Sequence, residues 1–105
     1  MADVSEIADL LDAAVPLLQE HRIAAAVLYG SYAKGTNHAT SDIDIAVWPD
    51  EGWTTRDWDN LTDALEELPT LKKWDLCRMN GFVSSQLKGM IARDGIVLFG
   101  SPGKP

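Results

Sequence analysis

Apolar residues recur at helical spacing in three stretches of the chain, and alternate or run together in four shorter ones, with polar or breaker-rich segments between. From Asp3 to Glu20, the positions Ile7, Leu10, Leu11, Ala14, Val15 and Leu18 share one helical face, and Asp3 with Glu6 is placed as a capping box. Pro16 has no N–H to donate and its ring crowds the preceding turn, which predicts a kink or an early break near Ala13 or Ala14. Ile23 to Tyr29 is too short for a helix and is closed by Gly30, so it reads as a first strand. Tyr32 to Thr36 reads as a short helix or turn. Asn37 to Ser41 is a polar loop leading into a strand from Asp42 to Trp48, which Pro49-Asp50-Glu51-Gly52 ends. Thr54 with Asp57 starts a second long helix with the stripe Trp58, Leu61, Ala64, Leu65 and Leu68; Asp59, Asp63, Glu66 and Glu67 fall on its solvated side. Beyond Pro69, Lys72 to Met79 reads as a third strand, with Trp74 and Leu76 alternating against Lys73, Asp75 and Cys77. Asn80 or Gly81 opens a last helix carrying Val83, Leu87, Met90 and Ile91, Gly95 stops it, and Ile96 to Phe99 is a final strand. This order predicts an α/β (α+β) fold with a small sheet of about four strands flanked by helices. One domain over residues 1–100 is expected, with 101–105 a flexible tail.

Two residues do not suit this packing. Asp is depleted in strands, yet Asp42 and Asp44 are interleaved with Ile43, Ile45 and Val47. Residues two apart on a strand share a face, so both carboxylates point the same way, separated by roughly 6.6 Å of rise, while the apolar residues point to the other side. Like charges this close repel unless a cation lies between them, and carboxylate oxygens with phosphate oxygens are what Mg²⁺ takes. A half-exposed edge strand with merely solvated acids would show the same pattern. Upstream, Gly30-Ser31 ends the buried run Val27-Leu28-Tyr29. A glycine followed by a hydroxyl residue lets the backbone turn tightly and present N–H groups to a phosphate, although an ordinary strand-to-helix turn with Ser31 as N-cap reads alike. It is not a P-loop: Gly30 and Gly35 have the right separation, but Thr36 follows Gly35 directly and Lys34 lies on the wrong side. His38, alone in the polar loop, stays outside the catalytic set.

Composition narrows the partners. In 105 residues, 9 Lys and Arg stand against 16 Asp and Glu, a net charge of −7. That balance argues against a nucleic-acid partner held by phosphate contacts but not against a nucleotide carried with Mg²⁺. The single Cys77 permits no intramolecular disulfide and has no partners at ligand spacing, so it reads as a small core residue. No apolar run approaches the roughly 20 residues that span a bilayer, and the N-terminus lacks the pattern of an export signal; a cytoplasmic protein is expected. Four tryptophans, Trp48, Trp53, Trp58 and Trp74, are many for this length and suit a partner surface as well as a core.

Gly30-Ser-Tyr-Ala-Lys-Gly-Thr36 followed by Ser41-Asp-Ile-Asp-Ile-Ala-Val47 resembles the signature of the polymerase-beta-type nucleotidyltransferase superfamily, in particular its minimal nucleotidyltransferases, over nearly the whole chain. The resemblance implies a polymerase-beta-like fold, in which the small sheet is mixed, and transfer of AMP from ATP to a hydroxyl acceptor. It gives Asp75 the role of the third carboxylate, on a strand beside the Asp-x-Asp strand. Read as a plain strand acid, Asp75 would pair with Lys73 or Arg78. The following Cys77 and Arg78 depart from the apolar and acidic continuation usual in small members. On this reading Asp42, Asp44 and Asp75 are catalytic and hold two Mg²⁺ ions, with Asp75 also placed to take the acceptor's proton. Gly30 and Ser31 hold the triphosphate. A basic residue is common at the position of Lys34, which either neutralises phosphate charge or is a solvated turn lysine. A chain this short has little left to recognise an acceptor, and minimal nucleotidyltransferases are commonly paired with a helical HEPN protein. In such toxin–antitoxin pairs the HEPN member is a ribonuclease, and the resemblance implies an antitoxin that adenylylates a HEPN tyrosine. Two other readings share the sequence: a binding-only antitoxin acting through exposed Trp and apolar surface, and a small-molecule nucleotidyltransferase of the antibiotic-modifying type completed by a helical subunit.

Overall fold

The computed structural model describes residues 7–36 and 41–102. Four strands, β1 (Ile23–Tyr29), β2 (Ile43–Pro49), β3 (Trp74–Arg78) and β4 (Ile96–Phe99), form one sheet in the order β3-β2-β1-β4. β1 is antiparallel to both of its neighbours, and β2 is parallel to β3. A parallel pair needs a crossover, and α3 (Thr55–Glu66) supplies it. The other helices are α1 (Ala8–Glu20), α2 (Ser31–Lys34) and α4 (Ser85–Asp94). Four strands flanked by helices are what the hydrophobic pattern predicts, and the mixed sheet is what the family resemblance implies.

The sheet has two unequal faces. Ala26 and Leu28 of β1, with Ile43, Ile45 and Val47 of β2, turn toward α1 and α3 and meet Leu11, Ala14, Leu18, Leu61 and Leu65 in the main core. The alternate residues Val27, Tyr29 and Ala46 turn the other way and form a smaller cluster with Ile91 of α4. β1 therefore buries both faces and reads as a continuous apolar run, with only Ala24 exposed. β3 alternates as expected: Trp74 and Leu76 pack on the main core, Cys77 packs on the smaller cluster, and Asp75 is exposed.

Three local expectations change. α1 runs unbroken through Pro16 to Glu20, with neither a stop nor a restart near Ala13 or Ala14. Pro16 and Asp12 are both exposed, on the side of the helix turned away from Leu11, Ala14 and Leu18, which hold it to the core. The expected capping residues Asp3 and Glu6 lie outside the described residues. α4 begins later than Asn80 or Gly81: Ser84 is its cap, its hydroxyl accepting from the Leu87 N–H at 3.2 Å, and Val83 is buried ahead of the helix. Gly95 ends α4 at φ −69°, ψ 150°, without a left-handed turn. Its role is space, since a Cβ there would collide with the Ile91 carbonyl and the Val27 side chain. The start of α3 is as expected: Thr54 and Asp57 form the capping box, with the Thr54 N–H donating to Asp57 Oδ2 at 2.8 Å and the Thr54 hydroxyl accepting from the Asp57 N–H at 3.3 Å.

The tryptophans are spent largely inside the fold. All four are half-buried. Trp53 donates Nε1–H to the His21 carbonyl at 2.8 Å and meets Trp58 edge to face at 6.1 Å, with the Arg78 guanidinium 5.9 Å and 5.3 Å from the two rings. The exposed large apolar side chains are instead Leu71, Phe82, Ile96 and Val97. Among the described residues, no helix is long and apolar enough to cross a membrane. Of the expected tail, residues 103–105 lie outside the described residues, and Pro102 is half-buried.

Candidate active site

β1 delivers the chain to Gly30, which takes φ 78°, ψ −150°, a conformation open to glycine and strained for other residues. The single-turn helix α2 follows: the Lys34 N–H donates to the Gly30 carbonyl at 3.0 Å, and the N–H groups of Gly35 and Thr36 donate to the Ser31 carbonyl at 3.0 Å. Gly35, left-handed at φ 92°, closes the turn. Tyr32 is fully buried in the main core and anchors α2 to the sheet, with the Lys72 ammonium 5.3 Å from its ring. The N–H groups of Ser31, Tyr32 and Ala33 precede the first intrahelical donor, so helical geometry gives them no partner within α2. Ser31 is half-buried at this end, and Lys34 is exposed at the other.

The acids lie beside this turn. Asp44 of β2 is in register with Tyr29 of β1 on one side and with Asp75 of β3 on the other, which lines the three up across the sheet. Neighbouring strands are about 4.8 Å apart, so these side chains share one small patch of the face opposite the main core. The turn and the acids meet at Gly30, where any Cβ would run into Asp44 Oδ2. Asp42 is exposed, immediately before β2, and the adjacent Ile43 N–H donates to the Lys73 carbonyl at 2.8 Å, which ties the start of β2 to β3.

Electrostatics follows from this crowding. The Asp44 carboxyl is pushed up to about 6, first by burial, then by the Asp75 charge and a hydrogen bond to Asp75, and then by Asp42. The Tyr29 phenol is held well above its ordinary range by burial and by Cys77, Asp44 and Asp75. The Cys77 thiol is raised by burial and by Asp75.

These residues fit a magnesium ion carried by phosphate. Among the described residues no group of three or more His, Cys, Asp or Glu side chains could by itself hold an ion. Mg²⁺ does not require such a cage, since it keeps waters and takes one or two carboxylates together with substrate phosphates. A crowded Asp44–Asp75 pair, coupled to Asp42 and abutting the glycine turn, supplies the carboxylate part of that donor set.

Of the residues singled out in the sequence, Gly30, Ser31, Asp44 and Asp75 converge, Asp42 stands at the edge of the group, and Lys34 is at the far end of α2. His38 lies outside the described residues. Tyr29 and Cys77, which share the face with the acids, were read from sequence as strand and core residues. Their alternation put them on the acid side, but their nearness to Asp44 and Asp75 depends on cross-strand register.

The family model described as polymerase beta, nucleotidyltransferase matches residues 13–103. A candidate protein adenylyltransferase of Methanocaldococcus jannaschii is 41% identical over 54 residues, which cover 51% of this chain and 58% of that protein. The chain thus aligns with little more than half the length of this curated relative. Among solved structures, a candidate minimal nucleotidyltransferase is 28% identical with a TM-score of 0.74, over 90% of this chain and 94% of that one. A toxin–antitoxin structure with AMP-PNP is also 28% identical, with a TM-score of 0.63 over 88% and 74%.

Proposed function

Because the chain belongs to the polymerase beta nucleotidyltransferase family, we propose that it transfers AMP from ATP to a tyrosine hydroxyl of a partner HEPN ribonuclease and acts as the antitoxin of that pair. The observation that carries the chemistry is the contact of Gly30 with the Asp44 carboxylate, with Asp75 in register beside it. A phosphate-binding turn and a carboxylate pair have to share one patch for a phosphate-bound cation to be held by both, and here a single Cβ would part them. The choice of AMP draws support from the name of the archaeal relative and from the AMP-PNP of the toxin–antitoxin structure. The antitoxin role draws on that same structure, and the HEPN partner on the motif resemblance.

In the reaction, the acceptor oxygen forms a bond to the α-phosphorus, the bond from that phosphorus to the bridging oxygen breaks, and pyrophosphate leaves. Ser31 and the open N–H groups of the first turn of α2 hold triphosphate oxygens, and Gly30 lets them approach. Asp75, exposed at the β3 edge, takes the acceptor's proton on its carboxylate. Asp42, Asp44 and Asp75 are the residues that would hold two magnesium ions, whose chemistry when bound is to neutralise phosphate charge and acidify the acceptor hydroxyl. Lys34 adds a point charge toward the phosphates. A single domain over residues 1–100 carries these parts, and a cytoplasmic setting supplies ATP and Mg²⁺. The net charge of −7 argues against a nucleic-acid partner held by phosphate contacts.

The test is the intact mass of a co-expressed candidate HEPN protein after incubation with the chain, ATP and Mg²⁺, alongside the Asp42→Asn/Asp44→Asn protein. Increments of AMP mass that vanish in the double variant are expected. No increment, with a complex that still silences the ribonuclease in the double variant, would leave a binding-only antitoxin. AMP transfer to an aminoglycoside but to no protein would move the chain to the small-molecule class.

A further inference from the structure

The face that carries Asp44 and Asp75 continues beyond them. Along β2 the alternation runs through Ala46 to Trp48, and along β3 through Cys77 to Met79, all within the smaller cluster. Four residues of strand, about 13 Å, separate Asp44 from Trp48. At that end a cavity of about 580 Å³ lies between the sheet and α4, floored by Val27, Trp48 and Met79 and walled by Ile91 and Ala92, with Lys88 among its lining residues. Val97 of β4 also lines it and is 56% exposed, an apolar residue open to water beside an apolar hollow.

The lining chemistry is one-sided. Among the described residues that line it there is no carboxylate, carboxamide or hydroxyl side chain, and the side-chain donors among them are the Trp48 indole and the Lys88 ammonium. A nucleobase bearing an exocyclic amino group would find no side-chain acceptor there. An apolar side chain beside a carboxylate would find both of its counterparts, and the ammonium is a local positive charge on a molecule of net charge −7.

The geometry points to this cavity as the docking site of the acceptor protein, taking an apolar side chain next to a carboxylate on the partner, about 13 Å from the acids where the hydroxyl reacts. This rests on the reading that the acceptor is a protein. The apolar group seats against Trp48, Met79 and Ile91, and the carboxylate pairs with Lys88. The cavity thereby selects which hydroxyl reaches Asp75, a task the open acid patch does not perform alone.

The probes are tyrosine-containing peptides carrying an adjacent Leu-Glu pair, with Ala or Lys replacing Leu or Glu in turn, measured by fluorescence anisotropy. The proteins are the wild-type chain, Ala92→Trp and Lys88→Glu, both exposed helix positions, each checked for fold by circular dichroism. Replacing Leu in the peptide, or filling the cavity with Ala92→Trp, is expected to weaken binding about tenfold. Lys88→Glu is expected to weaken binding of the Leu-Glu peptide and to restore it for the Leu-Lys peptide. Affinity for a fluorescent ATP analogue with Mg²⁺ should stay unchanged in both variants. Equal peptide binding by wild type and Ala92→Trp, or none by wild type, would overturn the assignment. Loss of ATP-analogue affinity in Ala92→Trp would overturn it in favour of a nucleotide subsite. Peptide binding that follows the expected pattern, with no AMP transferred to the peptide tyrosine, would leave the docking site standing and sink the transferase reading instead.

Discussion

At the scale of single residues, Gly30 and Asp44 are interdependent. Gly30→Ala must place a methyl group in the volume of Asp44 Oδ2 while holding φ at 78°. The expected cost is about 1–3 kcal/mol of stability, read by chemical denaturation, and about two orders of magnitude in AMP transfer, because the displaced carboxylate no longer meets the phosphate turn. Asp44 itself is held against its own preference. Its carboxyl is raised from 3.8 to about 6, so between those values the native chain binds the proton that the unfolded chain has released. The native state therefore loses stability as pH rises through that window and stays lower above it. Asp44→Asn should accordingly be more stable than wild type at pH 7.5, with the difference fading at pH 4, when thermal melts are compared without Mg²⁺. After discounting for solvent screening the gain is about 1 kcal/mol or less, and the same change should abolish transfer. Legibility at this scale was uneven. Asp42 and Asp44 broke the rules of strand composition, and Gly30 closed an apolar run ahead of a hydroxyl residue, so all three could be singled out from sequence. Tyr29 and Cys77 obeyed those rules and could not.

At the scale of elements, strands and caps followed their local sequence closely, and the departures have identifiable causes. Pro16 predicts a kink or an early break, but the helix is not broken: the neighbouring Leu11, Ala14 and Leu18 are all buried, and Pro16 itself is on the exposed side. Pro16→Ala supplies the N–H that proline lacks and should stabilise the chain by about 1–2 kcal/mol in urea unfolding, less than the full helix penalty of proline because the freer unfolded chain offsets part of it. Gly95 reads as a helix stop by left-handed turn, yet it is needed for close contact between α4 and β1. Gly95→Ala should therefore destabilise by about 1–3 kcal/mol through overpacking against Val27 and the Ile91 carbonyl, where a merely conformational glycine at φ −69° would have tolerated alanine. The melting temperature of that variant decides between the two roles.

At the scale of the whole molecule, the sheet separates packing from chemistry. One face, under α1 and α3, supplies the main core; the other carries the acids at one end and the cavity beside α4 at the other. An enzyme arranged in this way should gain stability from its ligands through the acid patch. Added Mg²⁺ with AMP-PNP should raise the melting temperature of wild type by several degrees at pH 7.5, less at pH 5 where Asp44 holds a proton, and hardly at all in Asp44→Asn.

The sequence by itself determined where most strands and helices lie and singled out the acids that do not suit a strand, because periodicity, caps and misplaced charges are local properties of the chain. Only the tertiary structure decided that Asp75 pairs with Asp44, that Tyr29 flanks them, that Pro16 is tolerated and that the tryptophans serve mainly the interior. Each of those depends on which strand lies beside which and in what register, and register is fixed by packing between segments far apart in sequence.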